Sequence, residues 1–277
     1  MFGVPIASPI AADKFGAVGF DRDDWSERYF AFRSAPLGRA TADTVIATYF
    51  NFAPRRIRRY VPSVWDIAEP DVVLDVLMDT VHDSMGDALT SFTGSPELLE
   101  LGALLSAASA AAFERPEGRP LFAGIASIPW PDDAPSQIWL GMHALREFRG
   151  DGHVAALASR GLTGLEALVL HAGTGVFPAD RLRASRDWTQ PEWDACVETL
   201  RARGLITRDE VLLSDEGKAY REAIETQTDE LTMPAYLGIG EQGVLRILEL
   251  APPIVAAAAA AAPMTAAQTR QTESDDR

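Results

Sequence analysis

The stretch from Leu162 to Glu225 constrains the fold more than any other part of this 277-residue chain. The apolar run LTGLEALVLHA has helical spacing and stops before Gly173 and Gly175. The pattern predicts a second helix over Pro178–Ser185 and a third over Gln190–Arg203. Gly204 follows at the position where a left-handed residue closes a helix. Leu205–Arg208 and Val211–Leu213 read as a small hairpin turning at Asp209 and Glu210, and Ser214 then caps a long helix running toward Leu231. Three helices, a hairpin and a closing helix form the order of a winged helix, a shape commonly used to grip DNA.

Charge runs against that use. The third helix sets Glu192, Asp194 and Glu198 against Arg201 and Arg203, and the whole chain carries a formal charge of −15. Residues 1–150 hold 20 acidic and 13 basic side chains, and residues 151–262 hold 17 and 10, so neither half hides a basic module. Sequence-independent DNA binding draws on Lys and Arg to neutralise phosphates. The one dense cationic run is Arg55, Arg56, Arg58 and Arg59. These four either bind phosphates or pair with Asp71, Asp75 and Asp79; with Arg201 and Arg203 they make the candidate DNA-contacting set.

The upstream half echoes the downstream one. Pro54, Ile57, Trp65 and Pro70 lead into a helix carrying Val73, Leu77 and Val81, much as Pro178, Leu182, Trp188 and Pro191 lead into Trp193, Val197 and Leu200. The parallel predicts a mainly α chain with small β wings, built as tandem winged-helix-like units. The expected division is a flexible arm over 1–14, a degenerate winged-helix-like unit over 15–150, a second unit over 151–262, and a disordered polar tail over 263–277. Within the first unit, Pro96–Phe113 reads as a helix and residues 116–135 as a short strand pair or extended linker. Ile138–Arg149 is a further helix, ended by Gly150–Gly152.

Apolar residues make up 47% of the chain, a soluble globular balance. The single cysteine, Cys196, excludes an intrachain disulfide and reads as a buried thiol in a reducing, cytoplasmic compartment. No charged segment leads into an apolar one at the N-terminus. Ile254–Ala262, bracketed by Pro253 and Pro263, is too short to span a bilayer, so no membrane partner is expected.

Several polar residues sit where chemistry is possible. His143 and Glu147 are four apart and share a helix face; Arg149, Asp151 and His153 follow in a glycine-flanked turn. This cluster is a ligand-contacting group, a structural turn, or, with His143, Glu147 and His153, a divalent-metal site; no metal or cofactor signature such as HExxH or paired CxxC identifies the last. His171 ends an apolar helix, where the macrodipole favours it, and is placed to reach the same cavity if the halves fold together. Arg33 and Asn51 stand in aromatic surroundings, and a buried Arg requires a protein carboxylate or an acidic ligand. Tyr49, Trp130 and Trp139 are core or pocket lining. Glu225, Thr228 and Asp229 lie late in the closing helix, facing either a cleft or solvent.

The segments FRSAPLG, TYFNFAP, GRPLFAGIASIPWP, LREFRGDGHVAALASRGLTGLEALVLHA and ETQTDEL resemble the SalK-like family of actinobacterial helix-turn-helix proteins, themselves distantly similar to MarR regulators. The resemblance spans roughly residues 15 to 250, and RGDGHVAAL is its most specific block. It implies that 151–262 is a MarR-like unit. It also implies a histidine where this chain has Phe148, so a site built on that group is altered here. Two functions are expected from these readings. One is a small-molecule-responsive transcriptional regulator, with DNA and a small molecule as partners and a homodimer as its assembly. The other is a repurposed fold that binds or transforms a small molecule of specialised metabolism between its units, without DNA. No nucleophile–base pair or phosphate loop identifies a reaction, which points away from an enzyme.

Overall fold

The computed structural model describes residues 3–261; the tail expected over 263–277 lies outside the described residues. The chain starts with α1 (Gly3–Ile6), α2 (Pro9–Ala17), α3 (Trp25–Ser34), α4 (Ala42–Tyr49), α5 (Pro54–Arg58) and α6 (Val64–Ile67). Longer helices follow: α7 (Pro70–Ala88), α8 (Pro96–Phe113), α9 (Pro120–Ala126) and α10 (Ala134–Ser159). The C-terminal part holds α11 (Gly164–Ala172), α12 (Ala179–Ser185), α13 (Gln190–Ala202), α14 (Asp215–Thr232) and α15 (Gly240–Ala261).

Proline and polar caps set most of these boundaries. Pro70, Pro96 and Pro120 each occupy the first turn, where the missing N–H costs nothing. Thr163 and Thr189 form capping boxes with Glu166 and Glu192, satisfying amides that would otherwise be orphaned at the starts of α11 and α13.

The expected β wings are not formed. Among the described residues the fold is all α, and the sole trace of pairing is one antiparallel bridge, Ile206 to Leu213. The cause is local. The bridge is made by Ser214 N–H to the Leu205 carbonyl (3.1 Å) and Thr207 N–H to the Leu212 carbonyl (2.9 Å), while Leu213 donates its N–H to the Gly173 carbonyl at the end of α11 (2.8 Å), so the second arm is tied to α11 after one bridge. Leu205, Ile206 and Leu213 then act as core plugs. The upstream strand pair is also absent, because LFAGIASI folds as α9: Leu121, Phe122 and Ile125 are buried at helical spacing behind Pro120. The tandem winged-helix description is therefore replaced by an all-α fold.

Two further expectations fail. The arm is packed: α1 and α2 bury Val4, Ile6, Ala11 and Phe15. Ser8 caps α2 and meets Ser84 of α7 at 3.0 Å. Gly150–Gly152 does not end a helix either; α10 runs through it to Ser159. Two mid-helix glycines cost about 1 kcal/mol each relative to alanine. Burial of the apolar Phe148, Ala156 and Leu157 offsets that cost. α14 passes close by, since a Cβ on Gly152 would lie at ordinary contact distance, 3.4 Å, from Leu231 Cβ.

The interior is divided in two. The larger core gathers helices α1–α10 and is closed by α15, which contributes Leu250, Ile254 and Ala258. The smaller core is formed by the end of α10 with α11, α13, the Leu205–Leu213 segment and α14, and it includes Cys196. Burial pushes the Cys196 thiol up to about 12, the signature of a structural cysteine. α8 and α15 have the length and hydropathy of membrane-crossing helices; here both pack against the larger core. α10 passes through both cores and is the element that joins them.

Candidate functional site

A cavity of about 490 Å³ lies where the two cores meet. Its long wall is α10, which presents Arg146, Glu147, Arg149, Asp151 and His153. The N-terminal half adds Arg33 from α3 and the Tyr49–Asn51 corner after α4. From the other side come His171 of α11 and Arg221 and Glu225 of α14. Arg33, Asn51, Glu147, Arg149, Asp151, His153 and His171, expected from sequence as candidates, are thus brought together. His143 is not in the lining; it is buried one turn away against Trp139 (ring centroids 5.1 Å). Asp229 acts at one remove, through Arg149. Trp139 is core, while Trp130 hydrogen-bonds Ser106 on another face.

Ion pairs organise the cavity. Arg33 lies 3.5 Å from Glu147 and 4.3 Å from the centre of the Tyr49 ring, and it donates to the Tyr29 hydroxyl (2.7 Å). Burial disfavours its charge, but Tyr29, Glu147 and Tyr49 outweigh that and hold the guanidinium protonated. Burial likewise opposes ionisation of Glu147, yet Arg33 and Arg146 keep its carboxylate below the usual range. Arg149 bridges Glu225 (2.9 Å) and Asp229 (3.0 Å) of α14.

Asp151 behaves differently. It accepts from the Phe122 N–H at the start of α9 (2.9 Å), but burial and the neighbouring Glu147 push its carboxyl up to about 6. His143 is pushed down to about 4 by burial, so it is neutral near pH 7. Burial also lowers His153 and His171.

Hydrogen bonding fixes the tautomer of His153. The Thr228 hydroxyl sits 2.8 Å from the Ile224 carbonyl, which only accepts, so its proton is committed there. His153 Nδ1, 2.9 Å from the same hydroxyl oxygen, must then donate. The other ring nitrogen, Nε2, is left as an unprotonated acceptor in a residue that lines the cavity. The three residues considered for a metal are each engaged otherwise: His143 with Trp139, Glu147 with arginines, His153 with Thr228. Among the described residues, no three His, Cys, Asp or Glu side chains are grouped to hold a metal.

Sequence reading passed over Arg146 and Arg221. The signal for Arg146 was periodic: residues 146, 149, 153 and 157 share one face only if the helix continues past Gly150.

The model of the helix-turn-helix family matches residues 2–265. The chain belongs to the helix-turn-helix family. The curated proteins and the solved structures contain no match to it.

In this helix-turn-helix protein the arginines expected to meet DNA are already occupied. Arg55 donates to both carboxylate oxygens of Glu192 at 2.9 Å and also to the Asp187 carbonyl. Arg59 lies 3.8 Å from Asp187, Arg58 is 2.6 Å from Asp43, and Arg56 donates to Ser26 (3.3 Å). Arg201 pairs with Glu198 (2.7 Å) and Arg203 with Glu166 (3.0 Å). The alternative partners Asp71, Asp75 and Asp79 are not the ones used by the α5 arginines. The exposed face of α13 shows Asp194, Ala195, Glu198 and Thr199.

A strap from the N-terminal half clamps the turn between α12 and α13. Ala53 N–H donates to the Arg186 carbonyl (2.9 Å), Trp188 Nε1 to the Asn51 carbonyl (2.9 Å), and Arg186 Nε to Asn51 Oδ1 (3.2 Å). Phe50 adopts a left-handed backbone (φ 60°), and Gly164 packs so tightly beneath it that any Cβ would collide with the Phe50 carbonyl.

Proposed function

We propose that this helix-turn-helix protein is a receptor for an anionic small molecule, held in the cavity between its two cores. The observation that carries this reading is the meeting of four arginines with three carboxylates and two neutral histidines on one cavity of about 490 Å³. That volume is within the range of sites for drug-sized ligands. The cations exceed the anions inside a chain whose overall charge is −15, so the cavity is a local positive site on a negative protein. Asp151, with its carboxyl raised to about 6, contributes only part of a negative charge near pH 6. The block RGDGHVAAL, residues 149–157, supplies much of the α10 wall, which supports reading the SalK-like resemblance as a resemblance of ligand sites.

Calorimetric titration with benzoate, citrate and phosphate tests this. At least one anion is expected to bind the wild type, and Arg149→Ala is expected to weaken it about tenfold or more, the size of a lost charge-assisted hydrogen bond. Absence of heat with all three anions would sink the receptor reading.

A second reading, a ligand-responsive transcriptional regulator distantly like MarR proteins, is favoured by family membership. Its weakness is the acidic exposed face of α13, which offers no free cation to a phosphate. A mobility shift on DNA from the gene's own neighbourhood, with complexes that weaken steeply as salt rises, would restore it.

A further inference from the structure

A second cavity of about 260 Å³ opens on the other flank of α10, between α8, α10 and α15. Its walls are Leu101 and Leu105 of α8, Met142 and Leu145 of α10, and Ile247 and Ala251 of α15, with Tyr236 at one end. Two residues line both cavities, Arg146 and Arg149. These arginines form the ridge between a polar chamber and an apolar one. Both are partly exposed, at 49% and 41% of the side chain, so their heads are reachable from either side.

We infer that the ligand is an amphipathic carboxylate, its head among the arginines of the interface cavity and its apolar body in the crevice between α8, α10 and α15. This rests on the receptor reading above and adds the chemical class. A guanidinium is a planar fork that matches a carboxylate in two parallel hydrogen bonds. Arg149 holds Glu225 and Asp229 by one bond each, both from Nη2, and a ligand head would replace the more exposed Asp229. The crevice offers the body nothing polar except the Tyr236 hydroxyl and the same two arginines. A wholly polar anion would leave that crevice unused, and a wholly apolar molecule would make no charge-assisted bond to the guanidinium heads.

The test is a chain-length series by calorimetry: butanoate, hexanoate, octanoate and decanoate, each against the alkanol of equal length. Carboxylate affinity is expected to rise with each methylene that enters the crevice, about fourfold per buried group, while alkanols bind at least tenfold more weakly. Ala251→Trp, which fills the crevice, is expected to abolish the length dependence. Equal affinity from butanoate to decanoate in the wild type would overturn this inference while leaving the receptor reading standing. So would alkanols that bind as well as the acids. Failure of every carboxylate, together with benzoate, citrate and phosphate, would overturn both.

Discussion

Arg55 on α5 and Glu192 in the first turn of α13 face each other through two parallel hydrogen bonds of 2.9 Å, binding the N-terminal half to the start of the helix that a DNA reader would insert into the groove. Glu192 also closes the capping box with Thr189. One carboxylate therefore serves both the cap and the clamp, and its pKa is lowered to about 2 by Arg55 and then by the Thr189 amide.

Arg55→Ala is expected to cost under about 1 kcal/mol at pH 7, because both partners are largely solvated and screened. Its pH dependence is the sharper test. A depressed carboxyl contributes stability that is present above its unfolded value of 4.5 and is lost as pH falls toward 2. Urea denaturation from pH 6 to pH 3 should show the wild type losing its advantage over Arg55→Ala across that window; parallel curves would contradict the pairing.

Thr228→Val removes the acceptor of His153 Nδ1–H and leaves a half-buried donor unsatisfied. The expected loss is about 1–3 kcal/mol in urea unfolding. Because burial lowers the His153 pKa, the neutral ring contributes stability above its unfolded value of 6.5, lost progressively as pH falls below it. An NMR titration midpoint for His153 at or above 6.5 would contradict the burial-lowered pKa.

Asp151 carries the opposite sign. Its pKa is raised from 3.8 to about 6, so its contribution is full below 3.8 and is lost as pH rises through 6. Asp151→Asn keeps an oxygen to accept from Phe122 and cannot ionise. It should therefore match the wild type near pH 4 and gain on it at pH 8, by an amount on the order of 2 kcal/mol. Equal differences at both pH values would show that Asp151 ionises freely.

Two glycines separate packing from propensity. Gly152→Ala adds a methyl at ordinary contact distance from Leu231 and should stabilise the protein by up to about 1 kcal/mol through helix propensity. Gly164→Ala drives a methyl into the Phe50 carbonyl and should destabilise by about 1–3 kcal/mol or more. Thermal melts of the pair decide both; tolerance of Gly164→Ala would mean that the strap is not seated on α11.

The parts of the fold that were legible in the sequence are those fixed by local chemistry. Pro70 and Pro96 started α7 and α8 where expected, and Gly204 closed α13 where a left-handed residue is needed. What was not legible depended on tertiary partners. Gly150 and Gly152 look like a helix stop unless Leu231 of α14 is known to lie against Gly152. The Leu205–Leu213 segment looks like a wing until Leu213 is seen to spend its amide on Gly173. The site shows the same division. Arg33, Asn51 and His153 stood out as polar residues in apolar company, whereas the ridge of Arg146 and Arg149 emerges only once α10 is continuous.

That continuity reaches beyond the site. Because one unbroken helix supplies side chains to both interiors, no cut of the chain between residues 134 and 159 yields two self-sufficient pieces. A fragment stopping at residue 150 would expose Phe148 and lose the α15 lid, and one starting there would lack half of its own wall. The two interiors therefore hold α10 in common, and severing it takes a wall from each.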